Sequence, residues 1–342
     1  MFWLTGHTHS GTTMLMSLLD GHPECLVYPN EPFFYSLFKR NLRASNEQIR
    51  KSFLIETRNS LHCGDARSEL EPMLSGREEI ELDAVHDALQ SIATHKEIRE
   101  LRESHFPHDA FFSIYFSRLV ADLKSITDAS PKLYVKAAFS ALREAISATR
   151  PEMRAGSHPV FKDPLGHFRP GALDWFLDTW PDGKIVFLRR NLNARVWSHI
   201  QHDVRRGRPN IRMSTDKSSF KGLCKSYARD RVYSSVLPDS DRLLKIDYEE
   251  LVTRPRETMT RVCNFLGIEF NECVMRSTIL GIDATPKTNR TGSNSINTNS
   301  LTKWKDNLTK TERLIIRYYF LRASSRKLYS GKSFSSQAIS PA

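Results

Sequence analysis

The chain reads as an α/β protein: a three-layer sandwich of the P-loop type, with a central parallel sheet flanked by helices and a helical insertion. Three observations carry this expectation. Strand-like apolar runs alternate with segments of helical period. The first run, FWLT, leads into GHTHSGTT (6–13), which has the spacing of a phosphate loop. A later run, KIVFLRR, is apolar as a strand covered on both faces is.

Taken in order, FWLT is a short first strand and a helix begins at about Thr12. Its apolar positions Met14, Leu15, Leu18 and Leu19 share one face. Gly21 followed by Pro23 ends it, and Leu26 to Tyr28 form a second strand that runs into the turn PNEP. Residues 36–130 are mostly helical in pattern, with Leu82, Val85, Leu89 and Ile92, then Tyr115, Leu119 and Leu123, at helical spacing. Gly64 and Gly76 interrupt this segment. Strands return at Val160–Phe161 and at 184–189. The helix that follows is expected to bury Val196, Trp197, Ile200 and Val204. Another strand starts near Leu243, and Pro255 and Gly267 bracket a further helix. The polar stretch from Thr285 to Ser300 is a loop.

The expected organisation is a single domain over 1–342. Residues 1–35 and 131–322 form a nucleotide-binding core, 36–130 a helical insertion or cap, and 323–342 a basic, Ser-rich flexible tail.

The 342 residues are 39% hydrophobic, enough for one large core or two modest ones. Lys plus Arg number 50 against 39 Asp plus Glu, a formal charge of +11. That surplus favours anionic partners: nucleic acid, an acidic polysaccharide or a multiply charged nucleotide. No zinc-finger, helix-turn-helix or aromatic-stacking motif points to nucleic acid. The five cysteines lack C-x-x-C spacing, so neither a disulfide framework nor a zinc site is expected, and a reducing compartment fits. With no membrane-length apolar run and no basic region before FWLT, the expected location is cytoplasmic.

The loop departs from G-x-x-x-x-G-K-[ST] at one place: Thr12 stands where the lysine belongs. Backbone N–H groups, a helix start and the hydroxyls of Ser10, Thr12 and Thr13 still suit one phosphate. The absent lysine argues against a triphosphate. It points to a nucleotide whose 5′-phosphate carries something other than further phosphate. A second signal lies in RRNLNARVWS. Arg190 closes a buried strand and Ser198 follows eight residues on. A strand end in an open parallel sheet is where ligands bind, and an Arg fork with a hydroxyl suits a separate phosphate.

Together these stretches resemble the sulfotransferases that use 3′-phosphoadenosine 5′-phosphosulfate. GHTHSGTTMLMSLLDGHPECLVYPNEP is similar to their 5′-phosphosulfate loop, helix and acidic turn, in the form found in bacterial and tyrosine-directed branches. RRNLNARVWS resembles their 3′-phosphate site, and VFKDP their K-x-P segment. LLKIDYEELVTRPRETMTRVCNFLGIEF and SLTKWKDNLTKTE resemble their late strand and helix and the loop that closes over the nucleotide. The resemblance covers the first 32 residues and most of 158–313.

It implies in-line sulfonate transfer from that co-substrate, without a metal, to a hydroxyl or amine acceptor: a saccharide, a tyrosyl protein or a small metabolite. It implies Glu31 as general base. It places Thr8, Ser10, Gly11, Thr12 and Thr13 around the 5′-phosphate, Arg190 and Ser198 on the 3′-phosphate, and Tyr248 and Trp304 on or near the adenosine. Family members usually carry Lys or Arg just before the SGTT serine, where this chain has His9. Lys162 is therefore expected to supply the charge at the reacting centre, with His9 beside it. Two competing readings stay open: a kinase-like phosphoryl transferase with a lysine-less loop, and a non-catalytic polyanion-binding protein.

Overall fold

Strands β1 (Phe2–Gly6), β2 (Cys25–Val27), β3 (His158–Lys162), β4 (Lys184–Arg189) and β5 (Leu243–Asp247) form one parallel sheet in the order β2-β3-β1-β4-β5. The computed structural model describes residues 1–32, 34–40, 44–62, 82–85, 106–153, 156–163, 171–235, 237, 240–283 and 298–330. Helices α1 (Thr12–Leu19), α2 (Phe34–Arg40), α3 (Asn46–His62), α4 (His108–Ser125), α5 (Pro131–Thr149) and α6 (Ala172–Thr179) lie in the first half. They are followed by α7 (Leu192–Arg205), α8 (Lys217–Ser234), α9 (Tyr248–Thr253), α10 (Pro255–Leu266), α11 (Lys303–Asn307) and α12 (Lys310–Ser330). A small antiparallel pair, β6 (Thr278–Ile279) and β7 (Ile282–Asp283), stands apart from the main sheet.

Alternation along the strands builds two of the three layers. Phe2 and Leu4 face one side with Val160, Val186, Leu188 and Ile246, where α1, α9 and α10 cover them. Trp3, Phe161, Ile185 and Phe187 face the other, beneath α2 to α6. A third cluster joins α7, α8 and α12 through Val196, Ile200, Phe220, Cys224, Tyr227 and Ile316. Both faces of the sheet are therefore dry, which is why β4 carries an unbroken apolar run.

The helical pattern expected from residue 36 is present in α2, α3 and α4, with Tyr115, Leu119 and Leu123 all buried. Leu82 and Val85 are helical and buried. Gly64, Gly76, Leu89 and Ile92, and most of the 285–300 loop, lie outside the described residues. By packing, α5 shares its apolar cluster with α4, so the helical layer extends past residue 130. Two details of the sequence reading need correction. Val204 is 42% exposed, and its neighbour Asp203 turns inward instead to meet His199 and Arg208. The chain also remains helical through Ser330, rather than fraying after Arg322, as α12 runs unbroken from Lys310. The four described cysteines are free.

The late segment is tied down by one ion pair. The Arg212 Nε and Nη2 atoms donate to Glu312 at 2.7 Å each, and Arg212 Nη2 also donates to the Asn307 carbonyl. The N–H groups of Thr309 and Met213 donate to the same carboxylate. Burial alone would raise the Glu312 pKa. The Arg212 fork and these N–H groups outweigh it and hold the carboxyl at about 2. A depressed folded pKa gives stability that is complete above the ordinary carboxylate range and is lost as pH falls toward the folded value. Glu312→Gln is expected to lower unfolding stability by about 3 kcal/mol at neutral pH, because Arg212 keeps its charge without a carboxylate to answer it. In urea titrations the gap from wild type should narrow as pH drops from about 4.5. A gap that is flat with pH would show that ionisation of Glu312 contributes nothing.

Candidate functional site

The carboxyl edge of the sheet gathers the candidate residues. From β1 the chain returns to β2 on one side, and from β4 it passes to β5 on the other. Adjacent strands whose connections diverge leave a crevice between their ends, where open α/β sheets bind ligands. The loop 6–11 rises from β1 and Arg190 follows β4, with Gly6 in register with Leu188. Lys162 closes β3, the other neighbour of β1. Glu31 lies beyond β2, and Tyr248 follows β5.

Two glycines make the loop possible. A Cβ on Gly6 would lie 2.4 Å from the Leu188 carbonyl oxygen, and one on Gly11 would lie 2.4 Å from the Tyr248 ring. Gly11 also has φ of 99°, a left-handed conformation that glycine adopts without strain. His9 has φ of 61° without that freedom, which costs on the order of 1–3 kcal/mol. Ser10 is fully buried, and among the described residues its Oγ has no hydrogen-bond partner. A buried orphan hydroxyl inside a loop that opens onto the first turn of α1 is the feature an arriving phosphate oxygen would satisfy. Thr12 is buried at that first turn and Thr13 is exposed beside it. The residues present thus fit a phosphate-bearing ligand.

Lys162 and Glu31 meet next to this turn. The Lys162 Nζ is 2.7 Å from Glu31 Oε1 and donates to Thr13 Oγ1 at 2.8 Å. Lys162 is 3% exposed. A nearly buried ammonium thus sits at the start of α1, shared between a carboxylate and a hydroxyl.

Arg190 bridges the crevice. Its Nη1 donates to the His9 carbonyl at 3.1 Å and its Nη2 to the Ser300 carbonyl at 3.2 Å. Its guanidinium lies over the Tyr248 ring, 4.2 Å from the centroid. The Arg190 Nε is buried with no partner among the described residues. Tyr248 is buried between Gly11 and Arg190, with its hydroxyl 2.9 Å from Ser300 Oγ. Ser198 is half-buried on α7. Trp304 is half-buried against the third apolar cluster, and its indole N–H donates to the Leu301 carbonyl.

The ring of His9 turns toward α7. It packs edge-on against His199 and His202 of α7, with centroids 5.1 Å away in both cases. Burial, then the like charges of His199, His202, Arg195 and Arg190, lower its pKa to about 3. His9 is therefore neutral at physiological pH. His199 is held by the Asp203 carboxylate at 3.1 Å and by the Tyr227 hydroxyl at 3.0 Å.

Sequence reasoning passed over Arg195, His199 and His202. Arg195 is fully buried, donates from Nε to the Thr8 carbonyl, and pairs with Asp230. The available signal was its place in RRNLNARVWS, on the inward side of α7 with Val196. Among the described residues, no helix is long and apolar enough to cross a membrane, and no group of His, Cys, Asp and Glu has the arrangement of a metal site.

A family-level match covers most of the chain. The model described as "Sulfotransferase family" matches residues 2–272. Protein-tyrosine sulfotransferase 1 of Danio rerio is 28% identical over 116 residues, a stretch that is 33% of this chain and 30% of that protein. Among solved structures, the sulfotransferase domain from the curacin biosynthetic pathway aligns with TM-score 0.52 and 15% identity, covering 96% of this chain and 97% of the other. The sulfotransferase domain of the Synechococcus PCC 7002 olefin synthase gives TM-score 0.49 and 17% identity, covering 96% and 94%. The first of these solved structures speaks to the fold. The family match spans the phosphate loop, both strand-end cations and the sheet that aligns them, and the chain belongs to the sulfotransferase family.

Proposed function

We propose that the protein transfers a sulfonate group from 3′-phosphoadenosine 5′-phosphosulfate to a hydroxyl or amine acceptor. One observation carries the reading: the 6–11 loop and Arg190 share one crevice, with Arg190 reaching the loop backbone at His9. One nucleotide bearing phosphate at both its 5′ and 3′ ends is the ligand such a pair suits.

That co-substrate supplies a sulfonate carried on a phosphate leaving group. The chain's part is positioning and charge stabilisation. The loop amides, Ser10, Thr12 and Thr13 would hold the 5′-phosphate, with Thr8 and Gly11 shaping the loop. Arg190 and Ser198 would take the 3′-phosphate. In this structure the Arg190 fork is satisfied by two neutral carbonyls, and a phosphate binds such a fork more strongly because the hydrogen bonds gain charge. Tyr248 supports the guanidinium from below, and Trp304 stands near the segment that approaches it. Lys162 would stabilise charge on the departing phosphate. Glu31, 2.7 Å from that ammonium, would accept the acceptor's proton. His9 would contribute a neutral imidazole. The acceptor classes that suit this chemistry are a saccharide, a tyrosyl protein and a small hydroxylated metabolite, and an acceptor screen with labelled donor would sort them.

Calorimetry with adenosine 3′,5′-bisphosphate tests the nucleotide assignment. The wild-type chain should bind it in preference to ATP with magnesium. Arg190→Ala should weaken binding by about 10-fold or more, as loss of a charge-assisted clamp does. Undiminished affinity in R190A would remove Arg190 from the site.

Glu31→Gln is expected to leave bisphosphate affinity near wild type and to lower turnover by about 100-fold. Turnover equal to wild type would exclude Glu31 as the base.

Lys162→Ala should depress turnover by about 100-fold, and His9→Ala by far less, since only the lysine brings charge. Because the His9 pKa lies at about 3, the pH–rate profile between pH 6 and 8 should be the same shape in H9A and wild type. A larger loss in H9A than in K162A would reverse the two roles.

A further inference from the structure

We propose that Arg195 is a positioning residue for the donor's 5′-phosphate, holding the phosphate loop from the side that faces α7. The proposal rests on the nucleotide reading given above. Arg195 sits in the first turns of α7 and is fully buried. Its Nε donates to the Thr8 carbonyl at 3.2 Å, and its Nη2 reaches Asp230 Oδ2 at 3.2 Å. The guanidinium lies flat over Tyr227, 4.2 Å from the ring centroid. Burial lowers its pKa to about 10, against the opposing pull of Tyr227 and Asp230, so it remains charged at neutral pH.

The carbonyls it and Arg190 hold are consecutive. Arg195 takes Thr8 and Arg190 takes His9. A trans peptide sets its N–H opposite its C=O. Fixing the Thr8 carbonyl therefore aims the His9 N–H away from α7. The next residue needs such restraint, because His9 holds a left-handed φ of 61°. A conformation of that kind persists only where its surroundings over-determine it. Here the surroundings are two guanidinium groups on the backbone and two histidines against the ring.

A buried arginine is an expensive way to join two helices. Its Nη1 has no partner among the described residues. Replacing a buried ion pair by apolar side chains is often neutral or stabilising, so pinning α7 to α8 does not account for Arg195. Shaping a loop that must be ready for phosphate does account for it, because pre-organised amides need no rearrangement when the anion arrives.

The test uses the full chain carrying Arg195→Met or Arg195→Lys, with folding followed by circular dichroism and nucleotide-free thermal unfolding. Affinities are measured for adenosine 3′,5′-bisphosphate and for adenosine 3′-monophosphate, which lacks the 5′-phosphate. The expected result is a loss of about 10-fold or more for the bisphosphate in R195M and no change for the monophosphate. R195K should show a smaller loss with the same selectivity, since lysine keeps charge near Asp230 without a fork that spans Thr8 and Asp230 together. Should R195M fail to fold, R195K decides alone. Equal losses for both nucleotides, or no loss for the bisphosphate, would overturn the role of Arg195. A wild-type chain that binds neither nucleotide would overturn the donor reading instead, which is a separate and visible outcome.

Discussion

At Gly6 the first strand lies so close to the Leu188 carbonyl that no side chain fits between them. The rest of the site depends on that approach. β1 pairs with β4 along its full length, from Phe2 with Lys184 to Gly6 with Leu188, so β4 ends only one residue beyond β1. The chain then turns into the loop on one strand and into Arg190 on the other. Gly11 repeats the constraint one layer further out, against the Tyr248 ring on which Arg190 rests. A bulkier residue at either place would wedge β1 from β4, or the loop from Tyr248. Arg190 would then lose its reach to the His9 carbonyl.

Much of this was legible from local pattern. Strand edges follow from apolar runs, and the loop from a spacing, so β1, β4, β5, α1 and α10 lie where the sequence placed them, and the loop stands between β1 and α1. The side-chain environments were not legible, because they depend on partners far along the chain. Arg195 reads as one more polar residue on a helix until Thr8 and Asp230 close on it from opposite sides. His9 stands just before the serine of SGTT, and it is burial, with His199 and His202 alongside, that holds it neutral, which the sequence alone does not display. Val204 satisfies a helical period, yet α7 buries Asp203 instead, since that carboxylate has His199 and Arg208 to answer it.

Net charge was a blunt instrument for the same reason. Many of the surface cations are already matched: Arg256 with Glu272, Arg261 with Glu250, Arg118 with Asp122. Exposed pairs of this kind contribute little to stability and offer little to a ligand. In the crevice the pattern differs. Arg190 is answered by carbonyl dipoles rather than by a carboxylate, so its full charge remains available to an anion. That is a local argument for a specific anionic ligand, and composition alone had allowed any polyanion.

Moving the cation from the loop to β3 has a chemical consequence for the proposed reaction. A lysine within the loop would have answered the phosphate alone. Lys162 enters from the neighbouring strand and is shared by Thr13, at the start of α1, and Glu31, beyond β2. One ammonium therefore touches both the phosphate-binding end of a helix and the carboxylate proposed as base. In the proposed reaction, a phosphate entering the loop would compete with Glu31 for that charge. Lys162 would thus stand between the donor's phosphate and the base, so that donor binding and proton acceptance meet at one ammonium.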